Sequence, residues 1–116
     1  MESFRELVVY QKAYKYSLEI HKRSISFPQH EQTELGGQIR RASKSIPLNI
    51  VEGYGRQSKD EFKRFLRISL GSCDEMQVHL SFSKDLKYIT EKEYQEISKE
   101  YEEIGRMLNT TIQKWK

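Results

Sequence analysis

The stretch at residues 45–62, SIPLNIVEGYGRQSKDEF, sets the terms for the whole chain. It begins inside a helical pattern, because Leu35, Ile39, Ala42, Ile46 and Ile50 recur at spacings of three and four. Pro47 falls within that pattern. A proline there removes the hydrogen bond to the carbonyl of Ser43 and costs a straight helix about 3 kcal/mol. Two readings follow: a bend that wraps the helix around a core, or a bend that turns carbonyls toward a ligand. The continuing apolar face favours the first, with Ser43 and Ser45 at hand to satisfy freed groups. Beyond it, Gly55 stands where a helix end favours a left-handed residue, and Ser58 with Glu61 forms a capping box for the next helix. The segment lacks the Gly-x-x-x-x-Gly-Lys spacing of a phosphate loop, and no strand precedes it. It reads as a corner between two helices, with Gly53 and Gly55 in structural roles.

Outward from this corner the chain resolves into four helices. The third runs over about 59–87, with Phe62, Phe65, Leu66, Ser69, Cys73, Met76, Leu80 and Ser83 on one stripe. The small residues Ser69, Gly71, Ser72 and Cys73 at its middle predict a tight crossing. The fourth runs over about 91–115, opened by a Thr90–Glu93 capping box. Its seam is Tyr94, Ile97, Tyr101, Ile104, Leu108, Thr111 and Trp115. The first, about 4–26, carries two stripes: Leu7, Tyr10, Tyr14, Leu18, His21 and Ile25, and beside them Val9, Ala13, Tyr16 and Ile20. Two stripes predict burial over a wide arc, against more than one partner. Phe27-Pro28 ends this helix, and Pro28 suits the first position of the second. Short connections between four helices predict an all-α antiparallel up-down-up-down bundle, one domain over residues 1–116.

A polar stripe, Gln38, Arg41, Ser45, Asn49 and Glu52, runs beside the apolar face of the second helix. Folding helices two and three about a corner near residue 56 sets Arg41 opposite Ser72 and Gln38 opposite Glu75. The expected structural polar network is therefore Arg41, Asn49, Glu52 and Glu75, with an Arg41–Glu75 pair and either Arg5 or Arg64 as partner for Glu52.

Composition narrows the function. The chain has 116 residues, 36% of them hydrophobic and 32% charged, with a formal net charge of +3; its mean hydropathy is −0.80. Such polarity suits slender helices or subunits that complete their burial by associating. The basic surplus is mild, and it lies in residues 1–88. Cys73 is the only cysteine, which excludes an internal disulfide and points to a reducing compartment. The first residues, MESFRELVVYQKAYKY, hold scattered charges and no apolar signal region, so a cytoplasmic protein is expected.

Four passages carry a resemblance: LVVYQKAY, QIRRASKSIPLNIVEGYGR, EFKRFLRISLGSCDE and EYEEIGRMLNTTI. In this order they resemble the bacterial four-helix-bundle family encoded in intervening sequences of 23S ribosomal RNA genes, a ribosomal-protein-like family. The accessory protein of diversity-generating retroelements looks like the same bundle. The resemblance implies a ring-like homo-oligomer, a pentamer, and binding of RNA or DNA through basic surface. It implies no enzymatic activity.

The residues themselves offer little chemistry. A di-iron bundle needs Glu-x-x-His motifs, and none of His21, His30 and His79 follows a Glu by three; no metal, cofactor or small-molecule substrate is expected, and no catalytic residue. Cys73 lies mid-helix on an apolar stripe, as a small hydrophobe would. The basic residues carry more. Arg56, Lys59, Lys63 and Arg67 form one stripe, and Arg40 and Lys44 form an i, i+4 pair. These six are the candidate phosphate contacts; the plain alternative is a solvated face. Tyr16, Tyr54, Tyr88 and Phe82, left over once the core stripes are filled, suit an interface between copies or with a protein partner.

Overall fold

The computed structural model describes residues 3–114, and the seam position assigned to Trp115 lies outside them. Four helices form: α1 (Val8–Ser24), α2 (Leu35–Gly55), α3 (Lys59–Asp85) and α4 (Glu91–Lys114). Short 3-10 turns at Phe4–Glu6 and Gln29–Glu31 precede the first two, and no strand occurs among the described residues. The bundle measures 42 × 23 × 20 Å. None of its helices is long and apolar enough to cross a membrane.

Local chemistry sets most of the helix ends. Thr90 and Glu93 exchange side-chain-to-backbone bonds of 3.0 and 2.9 Å, the reciprocal capping box expected at α4. Ser58 accepts from the Glu61 N–H at the start of α3. The far end of α3 closes with a bond from the Tyr88 N–H to the Ser83 carbonyl, around Lys87 at φ 66°.

Three boundaries differ from expectation. The first helix starts at Val8 and not at residue 4, because Leu7 is extended and the Gln11 side chain donates to the Arg5 carbonyl. Pro28 does not open α2; it precedes the 3-10 turn, and α2 begins seven residues later at Leu35. At the α2–α3 corner the left-handed residue is Gln57, with φ 57°, while Gly55 is the last residue of α2 and no glycine has positive φ.

Neighbouring helices run antiparallel, as the contacts show by descending on one helix while they climb on the other. On α2 and α3, Ser45 bonds Ser72, the Ile46 carbonyl accepts from Ser69, and Gly53 meets Phe62 and Phe65. Between α3 and α4, Leu70 lies by Gly105, Gln77 bonds Ser98, and Lys84 sits over Tyr94. Lys12 pairs with Glu100 at 3.0 Å and Arg23 with Glu93 where α4 returns to α1.

The core is continuous, from Val9, Ala13 and Ile20 on α1 through Ile39, Ile46 and Ile50 to Leu66, Met76, Leu80, Ile104 and Leu108. Small buried side chains let α2 sit close to its neighbours. Ser17 and Ser43 share a buried hydrogen bond of 3.0 Å, and Ser69 is fully buried. Gly53 makes the tightest approach: a Cβ there would stand 2.7 Å from the Phe65 Cβ. The expected tight crossing is thus made by Ser69, Ser72 and Gly53, whereas Gly71 faces open space. Pro47 is buried within an unbroken α2. The carbonyls just before it are engaged, Ile46 by Ser69 at 2.9 Å and Ser45 by the Asn49 amide at 2.8 Å.

Candidate functional site

The α2–α3 corner gathers most of the cationic stripe. With Gly53 pressed on Phe65 and Ser58 capping α3, Arg56, Lys59, Lys63 and Arg67 follow one another from the corner along the first turns of α3. Lys63 is half-buried and the other three are exposed. It stands one heptad before Leu70, Gln77 and Lys84, the residues of α3 that meet α4, so the stripe flanks that seam. Lys59 borders a shallow depression of about 270 Å³ with Tyr54 and Phe62.

Arg64, which the sequence reading offered only as a partner for Glu52, belongs to the same cluster. Its guanidinium lies 4.4 Å from the centre of the Phe65 ring, and that of Arg56 lies 5.1 Å away. Each arginine also holds a carboxylate: Arg64 bonds Glu61 at 2.9 Å and Arg56 bonds Glu52 at 2.7 Å. The hydrogen bond from Arg64, helped by the charge of Arg56, keeps the Glu61 carboxyl below the usual carboxylate range. Ring contact and carboxylate together fix two planar guanidinium groups on an exposed end of the bundle, the Nε–Nη2 edge of Arg64 being occupied by Glu61.

The other two candidates lie elsewhere. Arg40 is half-buried, donating to Ser24 Oγ at 2.8 Å and to the Gln32 carbonyl. It ties α2 to the end of α1 and to the turn between them. Lys44 is exposed, but it borders an apolar groove between α1 and α2. The six residues therefore divide into a corner group, one clamp and one groove residue.

The expected polar network forms only in part. Asn49 bonds Ser45, which bonds Ser72 across to α3. Glu52 is not held by Arg5 or Arg64; its partner is Arg56, one turn along the same helix. Arg41 and Glu75 border one polar cleft of about 350 Å³ with His79, yet no ion pair within 4 Å joins them. The Arg41 side chain instead folds back along α2, its Nη1 3.2 Å from where a Gly37 Cβ would stand.

The two serine hydroxyls of the cleft, Ser45 and Ser72, bond each other at 2.9 Å. Burial, with the charge of Asp74, pushes the Cys73 thiol up to about 12, so it stays protonated. Among the described residues no group of three or more His, Cys, Asp or Glu side chains is placed to hold a metal ion.

The groove between α1 and α2 is a feature the sequence reading did not resolve. It encloses about 480 Å³ and is almost wholly apolar, with Phe4, Tyr10, Tyr14, Leu18 and Leu48 along it. It uses the first of the two stripes on α1, while the second, led by Val9, Ala13 and Ile20, supplies the core. The leftover aromatics sort the same way: Tyr16 packs on Tyr101, Tyr54 on Phe62 and Tyr88 on Phe27, and Phe82 alone of the four stays exposed.

Comparison with known proteins agrees with this architecture. A family model described as 23S rRNA-intervening sequence protein matches residues 5–110. Among solved structures, a protein of unknown function from the S23 ribosomal protein family of Bacteroides thetaiotaomicron superposes with a TM-score of 0.83. It is 27% identical, and the match covers 91% of this chain and 96% of that one. No curated protein matches the chain.

Proposed function

The chain belongs to the 23S rRNA-intervening sequence protein family, and on that footing we propose that it is a non-enzymatic, self-associating bundle of the cytoplasm that binds RNA or DNA through phosphates. The observation that carries this reading is the corner cluster, where Arg56 and Arg64 flank Phe65 and Lys59, Lys63 and Arg67 continue along α3. Contacts of this kind neutralise phosphates and release counterions without reading bases. Glu52 and Glu61 temper the cluster, so a single copy binds weakly. Repetition around a homo-oligomer, a pentameric ring in the expected form, multiplies the contacts along one nucleic-acid strand. Arg40 has no part in this surface, because its guanidinium is held inside the fold.

Binding to a mixed-sequence RNA, followed by fluorescence anisotropy between about 50 and 200 mM salt, tests the reading. Affinity is expected to fall steeply with salt, and Lys63→Ala and Arg67→Ala each to lower the log–log slope by about one. A flat salt dependence, or slopes indifferent to both changes, overturns it. The second reading, a scaffold for protein partners without a nucleic-acid role, draws on the apolar groove of α1 and α2. It predicts the flat result.

A further inference from the structure

Among the described residues two apolar surfaces stand open, and their shapes differ. One is the concave groove between α1 and α2, where Leu48 is 61% exposed and Tyr14 and Leu18 are about as open. The other is a ridge on α3, where Val78, Phe82 and Leu86 recur every four residues and Phe82 is 56% exposed. The ridge lies on neither of the edges by which α3 meets its neighbours. Ser69 and Ser72 mark the edge toward α2, and Leu70, Gln77 and Lys84 the edge toward α4. Helical pitch places Val78, Phe82 and Leu86 between these edges, pointing away from the core. One molecule therefore has no means of seating its own ridge in its own groove.

Charge distinguishes the two surfaces as well. Lys44 borders the groove, and no carboxylate lines it. The ridge is flanked at its Val78 end by the exposed acids Asp74 and Glu75, while near Leu86 Asp85 is paired with Lys84 at 3.7 Å and Lys87 is exposed. A concave, basic-rimmed apolar surface and a convex one flanked by acids at one end, on different sides of a chain, are complementary to each other and not to themselves.

We infer that the groove of one copy receives the Val78–Phe82–Leu86 ridge of the next, so that copies join head to tail. Such a contact uses different patches on the two partners and repeats until the rotation closes it into a ring. Each contact buries apolar area that a stable monomer has no reason to expose in two places. Lys44 meets the acids of the ridge and sets the orientation. The inference rests on the self-association proposed above and adds which surfaces make it.

Sedimentation velocity of the whole chain tests it, using Phe82→Glu on the ridge and Leu48→Glu on the groove. Both side chains are exposed, so the folded monomer is retained, and helix content by circular dichroism verifies that. The wild type is expected to sediment as an oligomer and each variant alone as a monomer. Mixed in equal amounts, the two variants are expected to give a dimer and nothing larger. Phe82→Glu still offers a groove and Leu48→Glu still offers a ridge, so one productive contact remains. An oligomer that survives either change alone refutes the head-to-tail contact, and so does a mixture that stays monomeric, while self-association itself stands. A wild type that is monomeric up to about 100 μM, where even contacts of weak micromolar affinity would register, overturns both this inference and the self-association beneath it.

Discussion

Along α1, Val9, Ala13 and Ile20 are shut inside the bundle, whereas Tyr14 and Leu18 on the same helix, and Ile25 just past its end, face outward. The two sets have similar spacing and similar hydropathy. They differ in what lies across from them: the inner set shares the core with Ile39, Ile46 and Ile104, whereas Tyr14 and Leu18 line an open groove with Tyr10, Pro47, Leu48 and Val51. Periodicity tells where a helix is apolar. It says nothing of whether the cover comes from the same chain.

The sharpest way to break this comparison is to truncate one residue from each side. Ile20→Ala opens a cavity in the core and is expected to cost about 2–5 kcal/mol of unfolding free energy. Leu18→Ala removes a side chain that is 47% exposed and is expected to change the monomer by less than about 0.5 kcal/mol. Urea unfolding at low protein concentration measures both. Equal losses would mean that the outer stripe is covered within the monomer.

The corner glycines offer a second, smaller contrast. Gly53→Ala forces a Cβ against Phe65 and is expected to destabilise by about 1–3 kcal/mol. Gly55 has open space around it within α2, so Gly55→Ala is expected to be neutral or to stabilise by up to about 1 kcal/mol. Thermal melts of the two variants, moving in opposite directions, would separate close packing from backbone conformation at this corner.

The smallest effect concerns pH. Burial holds His21 and His79 below the ordinary imidazole value of 6.5. Lys44 and Arg40 add to it at His21, and Glu75 opposes it at His79. The unfolded chain therefore takes up protons near neutrality that the folded one refuses. Stability is complete above about pH 7 and declines as pH drops through the imidazole range. The carboxylates Glu93 and Glu100 act in a lower window. Their ionised forms are favoured by the Thr90 backbone bond and by Lys12 respectively, and their contribution is lost only as pH falls below the ordinary carboxylate value. Denaturant midpoints at about pH 7.5 and about pH 5.5 bracket the imidazole window; replacing both histidines by Gln is expected to flatten the difference.

Features set by neighbours in sequence were legible. The Thr90–Glu93 and Ser58–Glu61 caps need only residues three apart, and the α4 seam follows its own repeat through Ile97, Tyr101, Ile104 and Leu108, but at its end Ile112 is buried where Thr111 was expected. Features settled by competition were not. Glu52 had a partner one turn away in Arg56, which the helical turn itself holds within reach, unlike Arg5 or Arg64. Arg41 faced Glu75 across a cleft but found room to fold back over Gly37. The left-handed position fell to Gln57 because Arg56 continues the turn, its N–H bonding the Gly53 carbonyl. Of the basic residues, the corner group shared a local stripe and stayed together. Arg40 was diverted by Ser24 and Gln32, residues distant enough in sequence that only the folded corner joins them.

Cys73 has a use that follows from its seclusion. It is the chain's single thiol, 3% exposed, with Tyr101 of α4 among the groups of the same core. A disulfide reagent reaches it only while the helices have parted, so the rate of labelling counts openings of the bundle. Every copy thus carries an internal clock for its own breathing, readable without any engineered residue.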